Sequence, residues 1–467
     1  MQQTDTTRAQ INFIRGYGTV LFLYVFVRAI LLAITYDEAW SIETYVSGSF
    51  LNIISYEPCD SNNHLLNSLL IKLLYTFLPN SLFVARIPSL LAFIGFLWAA
   101  RKVAVNYSSH NAALVFFVVV SNPFLLDFFS LARGYSLAMC GLMFAFYYLQ
   151  LYLNSGHIKA ASKSFAAAGI SSLAILSFLN FFVALVLFVF WRQYKLKRLL
   201  SSLSFTLLVW PLLLPLVLAY PLYKLTRFGN LFYGGTNNVY SDSFESLVRY
   251  SSYHMFDQTY TGTIAATIVL VLFASFFVRV MHFENKVSQV WPAAILLLAV
   301  LLNIIQVKFL KGFYLIDRTA LFYYPLLVLL PISTLKYRRA YIALPAWSIA
   351  LLLAINLISA ANFKNTLVWF FDADTPHILQ QLNERGEKNN EVLSLGCSWP
   401  LHKGMEYYLK RGKYPFLKQD WNPNYVLYLD AELDRIDYYP KQEEILKLRI
   451  DTLFRFETSK VLVFKKK

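Results

Sequence analysis

The chain has 467 residues, 57% of them hydrophobic and 15% charged, against about 45–50% apolar and about 25% charged in soluble domains. That composition, with a mean hydropathy of +0.48 and apolar runs of roughly 17 to 25 residues, excludes an ordinary soluble enzyme and describes a polytopic membrane protein. The formal net charge of +15 is read as basic residues on cytoplasmic loops before any nucleic-acid surface.

The first apolar run, Gly16 to Ile34, follows Arg8 and Arg15. It resembles a signal peptide but lacks a small-residue cleavage site, so an uncleaved first helix with a cytoplasmic amino terminus is expected. The segment Thr35 to Asn63 holds Asp37, Glu38, Glu43, Glu57 and Asp60 without a Lys or Arg, which assigns it to the outer side. The first outer loop is taken as 35–81. Within it, Leu65 to Leu78 is too short to cross and ends at Pro79, the pattern of an interfacial helix.

Further crossings are expected at Leu82–Ala100, Ala112–Leu126, Leu131–Leu153, Phe165–Leu179, Phe181–Trp191, Ser202–Tyr223, Gly262–Met281, Trp291–Val307, Thr319–Leu335 and Tyr341–Ala361, eleven in all. The stretch Phe165 to Trp191 also reads as one long helix. Two spans place Lys159/Lys163 and Arg192/Lys195/Lys197/Arg198 on the cytoplasmic side together with Arg101/Lys102, Arg279/Lys286 and Lys336/Arg338/Arg339. The transmembrane domain is taken as 1–361.

From Asn362 both charge signs become frequent. Strand-like runs occur at Glu391–Leu395, Tyr425–Leu429 and Lys460–Phe464, with helical signals at Thr375–Arg385 and Leu401–Lys410. Region 362–467 is therefore expected as a small extracytoplasmic α/β domain. The three cysteines show no CxxC or Cys/His spacing, which excludes a disulfide framework and structural zinc. Cys59 and Cys397 pair only if both face an oxidising compartment with suitable geometry. Cys140 is a packing residue.

Chemistry is sought where polar groups gather at one aqueous face, since ionisable groups deep in lipid are costly. Asp37 and Glu38 directly follow the first helix, where a partly dehydrated carboxylate can take a proton from a hydroxyl; ordinary solvated loop charges are the other reading. Asp60 and His64, four apart, could hold a divalent metal if the turn is helical. The alternative is a helix start capped by Asn62 or Asn63.

Arg133, with Tyr135 after it and Asp127 before it, could clamp a phosphate or snorkel to headgroups. Arg86 has the same two readings, and mid-helix Arg28 is expected to pair with another span. Lys308, Lys311, Asp317 and Arg318 gather cations on the outer side, which suits an anionic ligand or headgroup anchoring. The aromatic segment Tyr220 to Tyr260, with Gly234 and Gly235 as hinges, reads as a cover over a substrate or as an interfacial belt. His254 in it has no assigned role.

Taken in order, Tyr36-Asp37-Glu38-Ala39-Trp40, Asn62-Asn63-His64-Leu65-Leu66-Asn67, Ala85-Arg86-Ile87-Pro88-Ser89, Ala132-Arg133-Gly134-Tyr135 and Asp317-Arg318 resemble the GT-C glycosyltransferases, nearest to the protein O-mannosyltransferase and aminoarabinose-transferase group. The resemblance implies a mainly α GT-C fold with outer juxtamembrane helices, and inverting transfer of a sugar from a polyprenyl-phosphate donor to a glycan, lipid or protein acceptor at the extracytoplasmic face. It implies Asp37 as base with Glu38 in support. Arg318, and Arg133, would bind the departing phosphate, with Asn63, His64, Tyr135, Lys308, Lys311 and Asp317 as further substrate-site residues. Asn62 and Asn63 stand where several relatives carry an acid, which counts against a metal. Other classes are a lipid-linked oligosaccharide or polysaccharide transporter and a surface-polysaccharide polymerase or ligase.

Overall fold

The computed structural model describes residues 7–198, 205–231, 234–253, 255, 258–282, 287–332, 340–412, 414–420, 424–429 and 451–465. The chain divides into two compact units: residues 1–26 with 50–361, and residues 27–49 with 362–467.

The first unit is helical. Among the described residues six helices of the chain are long and apolar enough to cross a membrane: Arg8–Leu31, Leu82–Tyr107, Gly134–Ser155, Leu176–Lys195, Thr206–Arg227 and Val290–Leu310. A seventh span results if Ser109–Val120 and Pro123–Phe129, bent by 69°, count as one. The eleven expected crossings thus meet the length and apolarity of a span at six or seven places. Others are shorter apolar helices, Gly262–Val271, Tyr323–Ile332 and Leu344–Ala360.

The bend was not expected within Ala112–Leu126. It falls at Asn122-Pro123, where proline lacks an amide hydrogen and Asn122 Oδ1 caps a new helix by accepting from Phe124 and Leu125. The stretch Phe165 to Trp191 is two helices, Ile158–Ala174 and Leu179–Lys195, joined through the 3-10 turn Leu176–Phe178. Ile158–Ala174 packs along Gly134–Ser155 with small side chains at the seam: Ser164 Oγ donates to the Ala145 carbonyl at 2.7 Å and Ser171 Oγ to that of Ala138 at 2.8 Å. Such bonds join helices where lipid offers no partner. Leu65–Tyr75 is a helix of 11 residues, too short to cross. The basic residues Lys286, Lys336, Arg338 and Arg339 lie outside the described residues.

The second unit is built on a mixed sheet that has five strands among the described residues. Its strands are β1 (Leu393–Cys397), β2 (Leu417–Gln419), β3 (Tyr425–Leu429), β4 (Asp451–Phe456) and β5 (Val461–Lys465). β1 pairs in parallel with β2 and β3, and β5 lies antiparallel between β3 and β4. Helices Thr375–Asn389 and His402–Lys410 contribute Ile378, Leu379, Leu382 and Met405 to a core shared with Leu393, Leu395, Leu427, Val461 and Val463.

Residues 27–49 belong to this unit. Arg28, in the last turn of Arg8–Leu31, donates to the Asn365 carbonyl at 2.7 Å. The amide of Ile34 donates to the Tyr408 hydroxyl at 3.1 Å. Cys59, Cys140 and Cys397 form no disulfide, so the Cys59–Cys397 bond that the sequence left open is not made.

Candidate active site

Asp37 and Glu38 sit in the first turn of a six-residue helix, Tyr36–Ser41, continued by a π-helical turn, Ile42–Val46. Both are buried. Their local sequence explains the helix start: Thr35 Oγ1 accepts from the Glu38 amide at 3.3 Å, and Glu38 Oε2 accepts from the Thr35 amide at 3.0 Å. This reciprocal capping box occupies Glu38 structurally. Glu38 Oε2 also accepts from the Thr35 hydroxyl at 3.2 Å. The two acids therefore have different tasks, and Asp37 is the one whose carboxylate is not part of the cap.

A third carboxyl joins them. Asp372, at the end of the 3-10 turn Phe370–Asp372, accepts from the Tyr36 amide through Oδ2 at 2.6 Å. Burial above all pushes its pKa well above the carboxylate range; the Tyr36 amide opposes this, and the charges of Asp37 and Glu38 add to it.

In the first unit the His64 ring lies beneath the start of the helix Gly134–Ser155. The Gly134 amide donates to His64 Nδ1 at 2.9 Å, and Arg133 Nη2 stands 3.1 Å from His64 Nε2. The amide and the guanidinium both only donate, and a neutral ring has a single acceptor nitrogen, so the ring accepts from one of them and the site holds one surplus donor. Burial first, then the positive charges of Arg133 and Arg318, hold the imidazole well below its ordinary pKa. Arg133 also donates to Asn62 Oδ1. At 2% exposure Arg133 is not snorkelling to headgroups, and neither is fully buried Arg86. Gly134 is required by the close approach: a Cβ there would stand 2.4 Å from the Ala174 carbonyl oxygen and 3.0 Å from His64 Cβ.

The turn that presents Arg133 is held from two sides. Asn67 Nδ2 donates to the Ala132 carbonyl at 2.9 Å, and Ser89 Oγ to the Leu131 carbonyl at 2.5 Å. Ser136 Oγ donates to Ser89 Oγ at 2.8 Å. Tyr135 packs edge-on against the His64 ring, with centroids 5.3 Å apart. Reading the sequence gave Asn67, Ser89, Gly134 and Asp372 no role, although the first three fall inside the motif islands.

Other expected residues are placed differently. Asn63 Nδ2 donates to the Ile53 carbonyl at 2.8 Å, and neither Asn62 nor Asn63 caps the helix Leu65–Tyr75, whose N-cap is His64 without a side-chain bond. The turn before that helix is not helical, so Asp60 and His64 do not share a helical face. Asp60 Oδ1 accepts from the Asn62 amide at 2.7 Å. Among the described residues no group of three or more His, Cys, Asp or Glu side chains gathers as a metal site, and with His64 Nδ1 engaged these residues do not fit a divalent cation.

Asp317 is buried in a 3-10 turn and its amide donates to Ser246 Oγ at 2.8 Å; Arg318 follows it, half-buried. Lys308 and Lys311 are exposed. Gly235 is bridged to Tyr314 by amide–carbonyl bonds of 2.8 and 2.9 Å, so it anchors the aromatic segment where a hinge was expected. Phe232, Tyr233 and His254 lie outside the described residues.

Among the described residues the chain combines apolar helices long enough to span a membrane, a short apolar helix in the first loop and a small mixed sheet. The chain is similar over 98% of its length, and 98% of the other chain, to the crystal structure of ArnT from Cupriavidus metallidurans in the apo state, with a TM-score of 0.55 and 12% identity. It is similar to ArnT of the same organism bound to undecaprenyl phosphate over 97% of each chain, with a TM-score of 0.52 and 12% identity. The chain thus shares its fold with ArnT. No protein-family model and no curated protein sequence matches it.

Proposed function

We propose that the chain is an inverting glycosyltransferase that moves a sugar from a polyprenyl-phosphate donor to an acceptor hydroxyl or phosphate at the extracytoplasmic membrane face. The observation that carries this reading is the assembly of buried His64 and Arg133 with half-buried Asn62, the charge of Arg318 beside it, on a fold shared with a protein crystallised with undecaprenyl phosphate.

In the reaction the acceptor oxygen attacks the anomeric carbon, the bond from that carbon to the phosphate oxygen breaks, and the acceptor proton passes to Asp37. The leaving polyprenyl phosphate gains one negative charge. Guanidinium groups and a neutral imidazole N–H, held in a water-poor site, stabilise charge that develops in the transition state. Asn63, Tyr135 and Asp317 shape this region, and exposed Lys308 and Lys311 attract the anionic donor at longer range. This reading takes the region 362–467 as extracytoplasmic.

Two variants test it in membranes supplied with a panel of undecaprenyl-phosphate sugars. Asp37→Asn is expected to lower transfer by about 10²–10⁴-fold, the usual contribution of a general base, while undecaprenyl phosphate still binds. Arg318→Ala is expected to weaken undecaprenyl phosphate binding about tenfold or more. Undiminished transfer by Asp37→Asn, or no binding of undecaprenyl phosphate by the unaltered protein, discards the reading.

A further inference from the structure

A helix of six residues has few internal hydrogen bonds, so the seating of Tyr36–Ser41 depends on what surrounds it. Thr35 and Glu38 satisfy one another's amides. The amide of Tyr36, at the first helical position, is taken by Asp372 across 336 positions of sequence. Asp372 is 1% exposed. Gly404 leaves room for its carboxyl, since a Cβ there would come within 3.0 Å of Oδ1. The helix that carries Gly404 also supplies Lys403, whose ammonium lies 4.9 Å over the Trp40 ring, and the residue after it, Arg411, pairs with Glu43 at 2.8 Å.

A neutral asparagine would cap the Tyr36 amide as well as a carboxyl does. The acid helix is thus fixed by a residue of the region 362–467, at the residue adjoining Asp37.

We propose that Asp372 is a positioning residue for sugar transfer: by holding the Tyr36 amide it sets the orientation of the short helix that presents Asp37 to the acceptor. This rests on the reading of Asp37 as the base.

The test uses the full chain in membranes with undecaprenyl-phosphate sugars, and the release of free undecaprenyl phosphate as readout. Asp372→Ala is expected to lower kcat by about tenfold or more, because small misplacement of a reacting group is costly, with the donor KM changed less than about threefold. Asp372→Asn keeps an oxygen for the Tyr36 amide and is expected to bring kcat back to within about threefold of the unaltered chain. Tyr36→Pro removes the amide hydrogen at a position that accepts proline, and in that background Asp372→Ala is expected to add less than about threefold.

Unchanged kcat in Asp372→Ala, or a loss in Asp372→Asn as deep as in Asp372→Ala, overturns the proposal. Should the alanine variant not accumulate, the other two decide: Asn near the unaltered rate with Tyr36→Pro depressed in kcat supports it, and the reverse overturns it. Asp37→Asn measured in parallel separates the two readings. Full transfer there removes the base itself, whereas transfer lost there and kept in Asp372→Ala removes only the role of Asp372.

Discussion

His64 carries the most chemical information of any single residue. Its neutral ring offers one lone pair to two donors, the Gly134 amide and the Arg133 guanidinium, so one donor is left over. Donors side by side favour an acceptor oxygen between them, which is what a phosphate supplies. Because the folded protein holds this imidazole below its ordinary pKa, the unfolded chain binds the proton more readily. The stability that His64 contributes is therefore complete above the unfolded value of about 6.5 and is lost as pH falls below it. The apparent Tm is expected to fall more steeply below about pH 6.5 for the unaltered protein than for His64→Asn, by up to about one proton's worth of slope. Equal slopes in thermal melts across pH 5 to about 8 would refute the neutral buried ring.

Elements matter most where a turn is held by its neighbours. The segment between the helices Pro123–Phe129 and Gly134–Ser155 receives Asn67 from one helix and Ser89 from another, so Arg133 is oriented before any ligand arrives. Asn67→Leu leaves the Ala132 carbonyl without that donor in a buried place, a cost of about 1–3 kcal/mol. Undecaprenyl phosphate affinity is expected to drop about tenfold in an equilibrium binding measurement, and unchanged affinity would show that the turn is rigid without Asn67.

The sequence announced these helices through their apolar runs and the Arg-Gly-Tyr motif through its position at a helix start. It did not announce the bonds across helices, because an Asn or Ser on an apolar face has the same local signature whether it reaches a carbonyl or packs. The sheet divides similarly. β1, β3 and β5 were legible as Leu, Val and Tyr runs close to their observed limits. β2 and β4 were not, since they are the two edges of the sheet, one only three residues long and both carrying charge.

At the scale of the molecule, the break after Ala361 coincides with a change of composition that any reading of the chain detects. The membership of residues 27–49 in the same unit as 362–467 has no local signal, because contacts over more than 300 positions leave no periodicity behind. The acid pair therefore looked like loop chemistry attached to a membrane domain. A chain ending at Ala361 is expected to lose transfer entirely and to lose amide-exchange protection at Ile34 and Tyr36, whose hydrogens are taken by Tyr408 and Asp372. Protection retained at both amides would mean that residues 27–49 hold their shape alone.

The same division sets an order of events during biosynthesis. Residues 27–49 emerge from the ribosome early, yet the sheet and helices they pack with are encoded more than three hundred codons later. The helix bearing Asp37 acquires its seat only after translation has passed Asp372 and the helix His402–Lys410. On the proposed reading, a nascent chain stalled among its membrane helices holds Arg133 without a seated Asp37 and is expected to be inactive.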